Sequence, residues 1–195
     1  PGLTATCWGT RGSIPTPGPR TLRYGGNTSC LEVRAGGRRY LFDAGTGIRA
    51  MSRRLAAEGP LEAELFLTHF HWDHIQGFPF CGHLYDADSR IRVHGPPQDG
   101  ATVAGILSGM MAPAYFPVQL DALAARVEFA DVDCGPWTDG VAEVAAVRVS
   151  GATRADGTAR AQWTLGPATG QQTVTATAAG LPAVTFTAAA GPGAS

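Results

Sequence analysis

The segment Thr68-His69-Phe70-His71-Trp72-Asp73-His74 restricts what this chain can fold into more than any other stretch. Three imidazoles and a carboxylate packed into so short a run are costly to bury without a partner. They are also natural ligands of zinc and similar first-row cations. The preceding run, Glu64-Leu65-Phe66-Leu67-Thr68, reads as a short buried strand leading straight into the histidines. Side chains alternate along extended backbone, so His69 and His71 fall on the same side and can share one metal. Asp73 and His74 stand at the turn where a helix begins and are directed toward a neighbouring position. The spacing suits two adjacent cations, which would polarise an ester and lower the pKa of a bridging water. The alternative, a solvated polar turn without an ion, gives no reason for so strict a spacing.

Around this loop, apolar and β-branched runs bounded by turn residues predict strands near 3–8, 29–34, 39–42 and 91–94. Ile48, Met51 and Leu55 recur at helical spacing and predict a helix over about 46–57; a second is expected over 98–110. Strands followed by crossover helices argue for an α/β layered fold. The character of the chain changes near Ser150, after which only Arg154, Asp156 and Arg160 are charged. Alternation over 158–165, 172–178 and 183–189, with Gly- and Pro-bearing turns, predicts a short all-β meander; a Thr/Ala-rich flexible linker is the alternative. The expected division is therefore residues 1–149 and residues 150–195.

The net charge of −1 gives no general attraction to nucleic acid or to an anionic membrane. No apolar run approaches the roughly 20 residues needed to span a bilayer. Cys7, Cys30, Cys81 and Cys134 are scattered without a C-x-x-C pair, which argues against a zinc ribbon. Buried free thiols in a reducing compartment are expected, and with them a cytoplasmic location.

The pattern His69-x-His71-x-Asp73-His74 after an apolar strand resembles the signature loop of the metallo-β-lactamase superfamily. Phe42-Asp43-Ala44-Gly45-Thr46-Gly47 resembles the earlier Asp motif that buttresses that loop, a simple Asp-Gly type of turn being the alternative. Gly9-Thr10-Arg11-Gly12-Ser13, Tyr24-Gly25-Gly26-Asn27-Thr28-Ser29-Cys30 and Ile75-Gln76-Gly77-Phe78-Pro79-Phe80 narrow the likeness. They are similar to the branch of class II cyclic-nucleotide phosphodiesterases and tRNA 3′-processing nucleases. The likeness covers about residues 3–149.

This resemblance implies the amino-terminal half of an αββα sandwich holding one or two zinc ions, with another first-row divalent metal as the alternative. It implies hydrolysis by a metal-activated water of a small-molecule or nucleotide phosphodiester. By the same analogy His69 and His71 hold one metal, and Asp73 and His74 hold the other. Asp73 also orients the attacking water and is the catalytic candidate. Asn27 and Ser29 are further candidates, explained equally well by hydrogen bonding within a turn.

The family completes its site with a later His, a bridging Asp and a final His, for which this sequence offers no match. His83 and His94 come too early and are expected to be packing or surface residues. Weak metal binding and little turnover are expected. The tail resembles the closing strands of bacterial Ig-like repeats, which would point to the cell surface. A non-catalytic surface protein, or an inactive truncated chimera, is therefore the alternative to a hydrolase.

Overall fold

Strands consecutive in sequence commonly pair with one another, and the first three strands do so. In the computed structural model, which describes residues 3–132, 135–146, 170–178 and 184–190, β1 (Thr4–Gly9), β2 (Cys30–Ala35) and β3 (Arg38–Phe42) are antiparallel neighbours. After β3 the pattern changes period, and helix α1 (Gly47–Leu55) carries the chain back to β4 (Glu62–Phe66), parallel to β3. β5 (Arg90–Gly95) and β6 (Arg126–Asp131) continue the parallel run. A one-turn helix, α2 (Trp72–Ile75), lies between β4 and β5, and α3 (Val103–Met110) lies between β5 and β6.

The helices cover one face of the sheet. Ile48, Met51 and Leu55 of α1 and Val103 and Leu107 of α3 join Leu41, Leu65, Ile91 and Val93 in a buried core. Burying each such side chain contributes about 1.5–3 kcal/mol, which makes this layer the main source of stability for the loops above it.

The opposite face carries Tyr40, Phe66 and His94, and a hairpin of β7 (Gly135–Thr138) and β8 (Glu143–Ala146) lies across it. The Trp137 ring meets Phe66 edge-on at 5.0 Å and His94 at 5.2 Å. Asp139, in the hairpin turn, accepts from the Tyr40 hydroxyl and from Arg38, both at 2.9 Å.

Two expectations change. The helix placed at 98–110 starts only at Val103, because Asp99 and Gly100 take positive φ (50° and 79°) in a tight turn. Thr102 then caps it, its hydroxyl accepting from the Gly105 amide at 3.1 Å. The tail strands β9 (Gly170–Ala178) and β10 (Val184–Ala190) do not stand apart as an Ig-like meander. β9 pairs in parallel with β1, and β10 pairs with β9, giving a sheet of order β10-β9-β1-β2-β3-β4-β5-β6. The pairing satisfies backbone groups that β1 would otherwise present at an open edge. The expected strand at 158–165 and the expected boundary at 149/150 lie outside the described residues. Among the described residues no helix is long and apolar enough to cross a membrane.

The Asp139 tether should be measurable. Burial works against its charge, but the Ala142 and Val141 amides, the Tyr40 hydroxyl and Arg38 hold its pKa down at about 2. A depressed carboxylate contributes stability above its ordinary value of 3.8 and loses it as pH falls through about 2. Tyr40→Phe should cost about 1–2 kcal/mol in urea melts at pH 7, with the gap to wild type narrowing toward pH 2.

Candidate metal centre

In a parallel sheet, loops leaving the carboxyl ends of neighbouring strands meet above the sheet edge. Here Phe42 of β3 lies in register with Phe66 of β4, so the residues that follow, Asp43 and Leu67-Thr68, emerge side by side. The Asp43 amide donates to the Phe66 carbonyl at 2.9 Å, which extends the pairing by one residue. Asp43 then turns through a positive φ of 63°, a conformation that Asp tolerates better than most residues.

The turn has to be slim. The Ala44 amide donates to the His74 carbonyl at 2.7 Å, and the Gly77 amide donates back to Ala44 at 2.8 Å. A Cβ on Gly45 would sit 2.2 Å from the Asp73 carbonyl oxygen, so only glycine lets the Asp43 turn and the histidine loop lie this close.

Asp43 is 4% exposed and accepts four hydrogen bonds. Its Oδ1 takes the Thr68 amide at 2.9 Å and the Thr68 hydroxyl at 2.8 Å. Its Oδ2 takes the Ser29 hydroxyl at 3.0 Å and His74 Nδ1 at 2.7 Å. The contact with His74 requires a proton on Nδ1, which leaves Nε2 as the base. Thr68 has a single hydroxyl proton and gives it to Asp43. Its oxygen can therefore only accept from His69 Nδ1, 3.1 Å away, and His69 also keeps Nε2 as a lone pair.

The rings gather beside this hub. The centroid of His69 is 4.0 Å from that of His74 and 4.5 Å from that of His71. The three form one cluster, with His74 nearer to His69 than His71 is. The His71 ring is exposed and makes no hydrogen bond among the described residues. Asp73 accepts the Ser13 amide on Oδ2 at 2.8 Å, and the same oxygen lies 3.4 Å from His74 Nε2.

The electrostatics follow from these contacts. Burial pushes the His69 pKa down, and the neighbouring His74 and His71 add to the effect. Burial also opposes charge on His74, but Asp43, bonded to it, and Asp73 hold its pKa above the usual value. The Asp73 carboxyl lies below the usual range: burial opposes this, while the Ser13 amide and His74 outweigh it.

The donor types suit a first-row cation: two Nε2 lone pairs, a third imidazole and an ionised carboxylate lie together beside the hub. Among the described residues, no group of three or more His, Cys, Asp or Glu is arranged to hold an ion as it stands.

His83 and His94 lie elsewhere. His83 is buried with Nδ1 2.8 Å from the Ser52 hydroxyl, and His94 is buried with Nε2 2.6 Å from Glu64. Both are packing residues. Asn27 serves its own turn: its backbone carbonyl accepts the Thr10 and Arg11 amides, and its Oδ1 accepts from Thr46. Ser29 does reach the site, through Asp43. Sequence reasoning missed Thr68 and Ser13. Thr68 directly precedes the histidines and could have been suspected, whereas Ser13 acts through its backbone and leaves no side-chain signal. Cys30 and Cys81 are buried free thiols, with pKa values raised mainly by burial.

Thr68→Val should break the link from Asp43 to His69 and weaken zinc binding by about tenfold or more in calorimetric titrations. Thr68→Ser, which keeps the hydroxyl, should restore most of the affinity.

Comparison with known proteins agrees with this loop architecture. The profile of the metallo-beta-lactamase superfamily matches residues 23–97, which include both Asp43 and the histidine loop. Ribonuclease Z of Natronomonas pharaonis is 31% identical over 134 residues, covering 67% of this chain and 41% of the relative. Ribonuclease Z of Haloferax volcanii is 37% identical over 98 residues, 49% of this chain and 28% of the relative. The chain thus spans well under half the length of these relatives. The solved metallo-beta-lactamase fold protein YhfI from Bacillus subtilis aligns with a TM-score of 0.46 and 17% identity, covering 71% of this chain and 48% of that one. This chain carries a metallo-beta-lactamase superfamily domain, in the neighbourhood of the ribonucleases Z.

Proposed function

We propose that the chain belongs to a metal-dependent phosphodiester hydrolase in which His69, His71, Asp73 and His74 hold one or two zinc ions. The observation that carries this reading is the Asp43 hub, which fixes His74 directly and His69 through Thr68 so that both present Nε2. A purely structural loop has no use for bases oriented in this way, whereas metal-binding histidines usually have a carboxylate or hydroxyl behind them. When bound, zinc would supply Lewis-acid polarisation of the phosphoryl group and a water of lowered pKa.

The chain's own residues divide the remaining work. Asp43 and Thr68 hold the imidazoles in the required tautomer. Asp73, kept ionised and aimed by the Ser13 amide, orients the attacking water and takes its hydrogen bond. Relatives bearing the name ribonuclease Z make RNA the phosphodiester we assign to the site. Divided between two ions, these four side chains give each zinc two protein ligands where catalytic zinc usually has three, so binding is weak in this reading.

Zinc titration calorimetry and hydrolysis of bis-p-nitrophenyl phosphate test the proposal together. Zinc is expected to bind with a Kd above about 1 μM, and hydrolysis to be slow, chelator-sensitive and lost in His71→Ala. Absence of zinc binding, or hydrolysis indifferent to chelator, would overturn the assignment. Binding much tighter than 1 μM would contradict the sparse ligand set.

A further inference from the structure

Among the described residues, β6 pairs in parallel with β5 and has no strand on its other side, so it forms an open edge of the sheet. The Arg126 amide donates to the Ser89 carbonyl and the Val132 amide to that of Gly95, which shows that the even-numbered residues turn their backbone groups toward β5. Alternation then turns the N–H and C=O groups of Val127 and Phe129 outward. An edge of this kind is a template for another strand, and proteins ordinarily blunt it with a proline, a bulge or repelling charges. β6 has no proline, and its register with β5 runs unbroken from Arg126 to Asp131.

Charge determines which strand fits. Two rows of side chains cross β4, β5 and β6 on the face opposite the helices. The row Glu64, Arg92, Glu128 alternates in sign, with Arg92 at 3.4 Å from Glu64 and 3.1 Å from Glu128. The row Glu62, Arg90, Arg126 does not, because it ends with two arginines in register with one another. Like charges directly opposite across a sheet are unfavourable. Arg126 is 65% exposed and meets an acid only along its own strand, at 2.7 Å from Glu128. A strand that completes both rows must set an acid opposite Arg126 and a base opposite Glu128. β6 itself, run antiparallel, does both.

We propose that the β6 edge is the docking surface for β6 of a second copy of this chain, about a twofold axis at Val127. In that register Val127 lies opposite its own counterpart and exchanges both backbone hydrogen bonds with it. Arg126 faces the partner's Glu128, and Glu128 faces the partner's Arg126. Phe129 and Ala125 pair on the other face, apolar against apolar. Neighbouring registers fail on charge: an axis at Glu128 sets acid against acid, and one at Arg126 sets base against base. An axis at Ala125 or Phe129 leaves both rows incomplete.

The helix side of the same edge supplies apolar surface. Val127 and Phe129 are half-buried there and, with Leu120 and Leu123, line a groove of about 710 Å³ beside α3. The second copy lies along the open side of this groove. Strand direction reverses across the axis, so the two histidine loops fall at opposite edges of the joined sheet. Neither copy completes the other's metal centre, and the pairing is independent of the hydrolase reading.

Sedimentation velocity of the full chain in EDTA tests the proposal. Wild type should pass from monomer to dimer as its concentration rises from about 1 to about 200 μM. Arg126→Glu and Glu128→Arg should each weaken dimerisation about tenfold or more, because each sets like charges across the axis. Mixed in equal amounts, the two variants should dimerise again, since the acids of one meet the arginines of the other. Val127→Pro removes an amide that points away from β5, so the monomer should stay folded while the dimer is lost. Cooperative thermal melts of the variants exclude unfolding as the cause.

A wild type that stays monomeric throughout would overturn the proposal and leave the edge to an extended segment of another protein. A dimer untouched by Val127→Pro would overturn it as well, by placing the interface elsewhere. So would a mixture of the two folded charge variants that remains monomeric, since the pairing of Arg126 with Glu128 would then be wrong.

Discussion

The carboxylate of Asp43 is the point on which the rest of the site depends. It is almost wholly buried, and a buried charge without partners would cost several kcal/mol. Four donors from three separate segments offset that cost: Ser29 before β2, Thr68 after β4, and His74 in α2. Because those segments arrive from different strands, satisfying one side chain also fixes the loop geometry. The strain of the positive φ at Asp43 and the glycine at position 45 belong to the same arrangement, since both let the turn approach the histidine loop closely. Removing the carboxylate would leave the imidazoles with nothing to choose between their two tautomers.

Much of this was legible in the sequence for physical reasons. Imidazoles and a carboxylate concentrated after a buried strand state their chemistry through residue type and spacing alone. The β3–α1–β4 unit shows through the change from strand to helical periodicity between Phe42 and Ile48. What spacing does not contain is the partner across the sheet. The pairing of β9 with β1 joins residues far apart in the chain, and nothing in the Thr/Ala alternation names β1 as its neighbour. The Thr/Ala pattern predicts strands at 172–178 and 183–189, close to β9 and β10, but not where they dock. His94 reads as the end of a strand; its burial against Phe66 and its bond to Glu64 emerge only from the register of β4 and β5.

Charge illustrates a related limit. A net charge near zero argues against general affinity for nucleic acid, and that inference is sound for a uniform distribution. It fails when acids and bases are segregated. In this chain the acids begin only at Glu32, and most of the sheet arginines are neutralised by neighbouring carboxylates, whereas Arg11, Arg20 and Arg23 of the loop 10–28 and Arg49, Arg53 and Arg54 of α1 meet no carboxylate among the described residues. The loop 10–28 and the histidine segment are linked through the Ser13 amide and Asp73.

Imidazole nitrogen NMR of the full chain, recorded as zinc is added, bears most directly on whether these side chains exist to grip a cation. In the metal-free protein His69 and His74 should each carry their ring proton on Nδ1, and added zinc should move the Nε2 resonances of both while leaving those of His83 and His94 in place. Protons found on Nε2, or ring resonances that ignore zinc, would mean that Asp43 and Thr68 orient these histidines for some purpose other than metal binding.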